Sequence, residues 1–98
     1  MFKESQIYFQ TAWDNFLALK DFFANYPEYS TRDFYVTGES YGGVYVPTLT
    51  RLLIQQIQAN NLTANLVGMV VGNGELSEIQ QINSAVDYLY FHGMEGKA

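Results

Sequence analysis

A serine at the predicted junction of a strand and a helix constrains the fold of this chain more than any other feature. The β-rich run at residues 34–37 leads into G-E-S-Y-G at residues 38–42, and a helical pattern begins directly behind Ser40. A G-x-S-x-G turn in this setting is typical of a nucleophile elbow, which holds a serine hydroxyl clear of the end of a sheet. We expect glycine at Gly38 and Gly42 because a side chain in so tight a turn would collide with the neighbouring strand or helix.

The position of Ser40 also suits acyl transfer. The N-terminus of a helix carries unpaired backbone N–H groups and the positive end of the helix dipole, and both favour negative charge that develops beside the serine. The alternative is a structural turn with no chemical role. The strand before the motif and the helix after it favour the elbow, since the mechanism requires both.

The rest of the chain predicts the order helix, strand, helix, strand, helix. Helical spacing of apolar residues stops before Pro27, and the nearly continuous apolar run at residues 66–71 is expected of a strand buried on both faces of a parallel sheet. The last residues, 95–98, are predicted to be frayed. The predicted helices cover residues 5–25, 44–57 and 77–90, and the predicted strands cover residues 34–37 and 66–71.

This order of elements defines the fold class. A strand, a crossover helix and a second strand require a parallel pair with a right-handed connection. We therefore predict an α/β fold of about two parallel strands with flanking helices. Two strands cannot shield both faces of a sheet or protect both of its edges, so we expect the chain either to pair with another molecule or to be part of a longer protein.

Charge and composition exclude several functions. The chain has only five Lys and Arg residues and a net charge of −5, so no nucleic-acid partner is expected. No apolar stretch approaches the ~20 residues that span a bilayer, and the first residues lack the pattern of a signal peptide. We predict no metal site and no cofactor. Asn61 begins the sequon Asn61-Leu62-Thr63 and is a glycosylation candidate if the protein enters the secretory route.

A serine nucleophile needs a base, normally a histidine that is oriented by a carboxylate. The single histidine is His92, and Asp87 lies between it and Ser40, so the order Ser, Asp, His is present. The two residues are nevertheless only five positions apart, whereas in α/β-hydrolases the acid and the base stand on separate loops. The aromatic neighbours of His92 favour a packed or capping histidine, and we predict that it is not the base.

Two glutamates lie where a ligand of the elbow would be expected. Glu39 precedes the nucleophile, and its carboxyl either faces the same cleft or is a solvated turn residue. In the first case it would have to hold a proton beside an anionic ligand, which low pH favours. Glu75 follows the second strand, at the carboxyl edge where open α/β sheets place their ligands.

The motifs resemble those of the serine carboxypeptidases over nearly the whole chain. The resemblance rests on P-E-Y at residues 27–29, F-Y-V-T-G-E-S-Y-G-G-V-Y-V-P at 34–47, V-G-N-G at 71–74 and Y-F-H-G at 90–93. It implies an α/β-hydrolase fold, of which residues 1–98 would form a single fragment with the nucleophile elbow. It also implies release of C-terminal residues from peptides at acidic pH, a lysosomal or secreted location and a possible homodimer in full-length members.

The resemblance further implies roles for individual residues. Ser40 would form an acyl-enzyme with a peptide that has a free C-terminal carboxylate, and the backbone N–H of Tyr41 would be one arm of the oxyanion hole. Glu39 would help to recognise the terminal carboxylate, so the resemblance favours function over a solvated turn. The substrate-binding residues implied after the second strand are Asn73, Gly74 and Glu75.

Three departures from the family pattern leave alternatives open. No residue of this chain corresponds to the family's catalytic Asp and His or to its glycine-rich oxyanion segment. The absence of cysteine fits an excised middle piece, since the family is secretory and disulfide-bonded. Family members usually carry an apolar residue at the position of Glu75, so this glutamate either favours a basic penultimate side chain or marks an altered use.

We therefore predict a partial serine carboxypeptidase that is inactive as a free chain. One alternative is a non-catalytic fragment that binds a peptide or another partner. The other is a fragment with no independent function.

Overall fold

The computed structural model describes residues 4–94 of the chain, and they form an α/β arrangement. The elements in chain order are helix α1 at Glu4–Asn25, strand β1 at Asp33–Glu39, helix α2 at Gly42–Gln58, strand β2 at Asn65–Gly72 and helix α3 at Glu78–Phe91. A short 3-10 helix at Pro27–Tyr29 connects α1 to β1. The predicted order is confirmed and differs only at the ends of elements. The predicted fraying of residues 95–98 lies outside the described residues.

Strands β1 and β2 pair in parallel, as the strand–helix–strand order predicted. The register has one irregularity, between Phe34 and Tyr35, and is regular from there to the end of the pair. Glu39, the last residue of β1, is opposite Gly72, the last residue of β2. The turn after β1 and the segment after β2 are therefore neighbours at the carboxyl edge of the sheet.

The hydrophobic core lies between α1, α2 and one face of the sheet. Helix α2 packs against α1 and against both strands. Phe16 of α1 and Leu53 of α2 are 2% and 0% exposed, and Phe23 packs edge-to-face on Phe34 of β1 with ring centroids 5.5 Å apart. The buried core residues are Ala12, Phe16, Phe23, Leu52, Leu53 and Leu62. Helical spacing of apolar residues does not by itself decide burial, since Ile7 and Phe22 of α1 are exposed.

Both strands leave large apolar side chains uncovered. Tyr35 of β1 and Val67 and Val70 of β2 are 51%, 50% and 58% exposed. The prediction that residues 66–71 are buried on both faces is therefore wrong for this chain. The reason is that the core places α1 and α2 together against the sheet, while α3 packs against no other helix or strand within residues 4–94.

The absence of tertiary packing around α3 makes the chain extended. Its radius of gyration is 18.1 Å, against about 13 Å for a compact domain of this length. Its accessible surface is 7540 Å², against roughly 5,700 Å² for a folded monomer of this mass. Much of the excess is apolar, since Ile79, Ile82 and Phe91 of α3 are all exposed. None of the helices in the described part of the chain is long and apolar enough to cross a membrane.

Candidate active site

Ser40 lies in the turn between β1 and α2 with its residue exposed to solvent. Its φ angle is 57°, in the left-handed region that residues other than glycine rarely adopt. Such a conformation costs about 1 kcal/mol or more and persists only where the surroundings enforce it. The strand–turn–helix geometry predicted from the sequence is thus present, and it contains backbone strain at the serine.

Three backbone hydrogen bonds hold Ser40 in this conformation. Its N–H donates to the carbonyl of Gly72 at 3.2 Å. Its carbonyl accepts from the N–H of Gly43 at 3.0 Å and from the N–H of Glu75 at 2.8 Å. Two of the three partners come from the end of β2 and the segment after it, so the elbow is built from two separate parts of the chain.

Glycines allow these parts to approach one another. A Cβ atom on Gly38 would lie 2.7 Å from Cγ2 of Val46 in α2, so the predicted collision with the neighbouring helix is confirmed for Gly38. A Cβ atom on Gly42 would lie 3.8 Å from the same atom, an ordinary contact, so the prediction is wrong for Gly42. The crowded position is Gly43, where a Cβ atom would come within 2.5 to 2.8 Å of the backbone of Glu75. The segment after β2 crosses the first turn of α2 at this point, which the local sequence did not indicate.

The N–H of Tyr41 is directed to no acceptor in the described residues. Tyr41 is the N-cap of α2, with φ −63° and ψ −10°, and its N–H forms no hydrogen bond within residues 4–94. N–H groups at the first turn of a helix lack partners within the helix. An unpaired N–H one residue from an exposed serine hydroxyl is chemically suited to stabilise an oxyanion.

A cleft of about 240 Å³ opens beside the elbow. The hydroxyl of Tyr41 is hydrogen-bonded to that of Tyr8 from α1, and the two rings are 6.2 Å apart between centroids. The cleft is lined by Tyr8, Tyr41, Val44, Glu75, Leu76, Ser77 and Glu78. Two carboxylates and two tyrosine rings therefore border it. Sequence reasoning did not identify Tyr8, because its proximity to the elbow depends on the packing of α1 on α2.

The remaining predicted site residues lie at the same edge of the sheet. Glu39 is exposed at the end of β1, and Asn73 is exposed in the turn after β2, with φ 45°. The carbonyl of Gly74 accepts a hydrogen bond from Nε2 of Gln81 at 3.0 Å. Glu75 is partly buried. The structure thus brings residues 39–41 and 73–75 together.

His92 and Asp87 are not part of this site. His92 caps α3: its backbone N–H donates to the carbonyl of Tyr88 at 3.1 Å, and Nδ1 is 2.8 Å from the same oxygen. Its ring stacks on Tyr88 with centroids 4.1 Å apart. Asp87 is exposed on α3, which packs against no other helix or strand in the described part of the chain. His92 was predicted to be packed or capping, and the structure shows the capping alternative.

Comparison with known proteins gives a consistent result. Residues 4–97 match the family model described as serine carboxypeptidase. The chain is 45% identical over 87 residues to the lysosomal protective protein of Mus musculus, and this alignment covers 89% of this chain and 17% of that protein. It is 40% identical over 84 residues to serine carboxypeptidase-like 46 of Arabidopsis thaliana, covering 86% of this chain and 18% of that protein. The venom serine carboxypeptidase of Apis mellifera is 43% identical over 77 residues, and the alignment covers 79% of this chain and 16% of that protein. The chain thus spans about one sixth of the length of these relatives.

Proposed function

Because the chain belongs to the serine carboxypeptidase family, we propose that it supplies the nucleophile of a serine-type carboxypeptidase. The observation that carries the proposal is the strained, exposed Ser40 beside the unpaired N–H of Tyr41 at the start of α2. Residues 1–98 would be one piece of an α/β-hydrolase core that contains the nucleophile elbow.

The proposed reaction proceeds in two steps. The Oγ of Ser40 attacks the carbonyl carbon of the last peptide bond while a base removes its proton, and the N–H of Tyr41 stabilises the oxyanion. The C–N bond then breaks, the departing amine receives the proton, and an ester forms on Ser40. Water attacks this ester, releases the shortened peptide and restores the serine hydroxyl. The base and the second oxyanion donor are proposed to come from outside this segment.

Recognition of the substrate's C-terminal carboxylate is assigned to Glu39, Asn73 and Gly74. These residues lie at the carboxyl edge of the sheet, with Glu39 directly before Ser40 and the other two directly after the end of β2. A protonated Glu39 carboxyl could donate a hydrogen bond to the substrate carboxylate, whereas an ionised one would repel it.

Glu75 is proposed to select the penultimate side chain of the peptide. Its N–H is bound to the carbonyl of Ser40, and it lines the cleft together with Glu78. A cleft with two carboxylates favours a basic side chain. This assignment is tested in a chimera in which the present chain replaces the aligned segment of the mouse lysosomal protective protein.

In this chimera we expect Glu75→Leu to lower the preference for arginine over leucine at the penultimate position about fivefold, since a partly exposed ion pair contributes about 1 kcal/mol. The measurement is the ratio of kcat/KM for two blocked dipeptides that differ at that residue. Glu28→Leu, in the 3-10 helix outside the cleft, is the matched control. An unchanged ratio in Glu75→Leu would remove this glutamate from the specificity pocket.

As a free chain, the 98 residues should show negligible turnover of a blocked dipeptide at about pH 5, because the single histidine, His92, caps α3, and this helix packs against neither strand within residues 4–94. The measurement is release of the C-terminal amino acid, followed by mass spectrometry. Turnover that disappears in Ser40→Ala would show that the chain supplies its own base.

A second candidate function is binding of a peptide or protein partner without catalysis. The exposed apolar residues of the sheet and of α3 favour it, because uncovered surfaces of this kind mark interaction sites. Binding of a peptide with a free C-terminal carboxylate but not of its C-terminal amide, without cleavage, would support this function for the free chain.

A lysosomal or secreted location is proposed from the similarity to the lysosomal protective protein. Asn61 is exposed and remains the proposed glycosylation site. Its side-chain nitrogen donates to Oε1 of Gln56 at 2.9 Å, so attachment of a glycan would require release of this hydrogen bond.

A further inference from the structure

Tyr8 of α1 contacts the elbow although it precedes Tyr41 by 33 residues. The two hydroxyls are hydrogen-bonded, and the two rings are tilted at 52° to one another. Tyr41 also packs edge-to-face against Tyr45, with ring centroids 5.0 Å apart. The side chain of Tyr41 therefore contacts both α1 and the first turn of α2.

The orientation of Tyr41 matters because its backbone N–H is one residue from Ser40. An oxyanion donor is effective only when it is directed at the position where the negative charge forms, and small displacements reduce the rate strongly. Ser40 is strained, and Gly42 has no side chain by which the turn could be held. Backbone hydrogen bonds from Gly72 and Glu75 hold Ser40 itself, and the side chain of Tyr41 is the point at which α1 contacts the elbow.

We propose that Tyr8 is a positioning residue for this site. Its hydroxyl fixes the side chain of Tyr41 and so the direction of the Tyr41 N–H relative to the Ser40 hydroxyl. This role rests on the proposed function, in which that N–H binds the oxyanion. Tyr8 acts through Tyr41 and takes no part in bond making or breaking.

The first test measures the order of the elbow in the free 98-residue chain and does not depend on catalysis. Amide hydrogen exchange is followed at Ser40 and Gly43, whose N–H groups form the hydrogen bonds of the elbow. We expect Tyr8→Phe and Tyr41→Phe each to accelerate exchange roughly two- to tenfold, the range that one neutral hydrogen bond contributes. The double variant should exchange no faster than either single variant, because both remove the same bond.

Tyr26→Phe is the matched control, since it removes a tyrosine hydroxyl just beyond the other end of α1, about 27 Å along the helix from Tyr8. It should leave exchange at the elbow unchanged. Additive effects of the two single variants, or no effect of either, would overturn the proposal. Exchange of the Ser40 and Gly43 amides at the rate of an unfolded chain in the unmodified protein would overturn the proposal as well. Tyr8 cannot position a turn whose hydrogen bonds do not persist.

The second test uses the chimera with the mouse lysosomal protective protein. Tyr8→Phe should lower kcat per titrated active site roughly two- to tenfold and change KM by less than about twofold. A purely structural role would lower the amount of folded enzyme and leave kcat per active site unchanged, and that result would overturn the inference while the proposed function stands. If the unmodified chimera is folded but inactive, the proposed function fails, and the exchange measurement still decides whether Tyr8 holds the elbow.

Discussion

We expect Ser40→Ala to abolish peptide turnover by the chimera, with kcat lower by at least about 10⁴-fold. The expectation follows from the strained turn, which exposes this residue at the carboxyl edge of the sheet beside the unpaired N–H of Tyr41. In the proposed reaction, removal of the hydroxyl would prevent formation of the acyl-enzyme, and the oxyanion hole and substrate binding would supply only a small residual rate. The first measurement is steady-state hydrolysis of a blocked dipeptide. The second is treatment with a phosphonate inhibitor that reacts with nucleophilic serines. Mass spectrometry should then find the adduct on Ser40 of the unmodified chimera and no adduct on the variant.

Ser84→Ala is the matched control for this experiment. Ser84 lies on α3, where its hydroxyl donates to the carbonyl of Gln81 at 3.0 Å, and the same atom is deleted without any change to the elbow. It should retain the activity and the phosphonate adduct. Turnover that survives Ser40→Ala, or an adduct on another serine, would assign the nucleophile elsewhere. A folded chimera that binds the peptide but does not cleave it would favour the non-catalytic function.

Gly43→Ala should destabilise the free chain by about 3 kcal/mol. The added Cβ atom would lie 2.5, 2.7 and 2.8 Å from the O, N and C atoms of Glu75. These are backbone atoms, so they cannot rotate away as the end of a side chain could. Relief of the overlap would require separation of the two segments, and the hydrogen bond from the Glu75 N–H to Ser40 would then be lost. Urea denaturation followed by circular dichroism measures the change.

The neighbouring Gly42 provides the matched control, because Gly42→Ala adds the same methyl group one residue earlier. The nearest atom to its Cβ would be Cγ2 of Val46 at 3.8 Å, an ordinary van der Waals distance. Alanine at this first position of α2 should be neutral or should stabilise the chain by up to about 1 kcal/mol, the difference in helix propensity from glycine. Equal effects of the two substitutions would show that the segment after β2 does not cross α2 at Gly43.

Local patterns predicted the elements of this fold well. The helical period of α1 and α2, the proline at 27 and the G-x-S-x-G motif each depend on residues close in sequence, and they were sufficient for the order of elements and the parallel pairing. The capping role of His92 was also predictable, because it depends on Tyr88 within the same helix.

The features that sequence reasoning missed depend on contacts between distant segments. Gly43 approaches Glu75 only when α2 has packed on the sheet, and Tyr8 reaches Tyr41 only when α1 has packed on α2. The adjacent glycines Gly42 and Gly43 indicated that another segment approaches the turn closely. They did not indicate that the close contact is at Gly43. Burial of residues 66–71 on both faces was inferred from hydrophobicity alone, and that pattern does not reveal whether a second layer is present in the same chain.

The dependence of Ser40 on residues after β2 limits how this motif can be reused in protein engineering. The pentapeptide at residues 38–42 does not carry its own conformation, since the acceptor for the Ser40 N–H and one of the two donors to its carbonyl belong to Gly72 and Glu75. A designer who transplants the five residues into a foreign scaffold would move Ser40 without the backbone that strains it. The segment that would have to be transplanted is the elbow together with the end of the adjacent parallel strand.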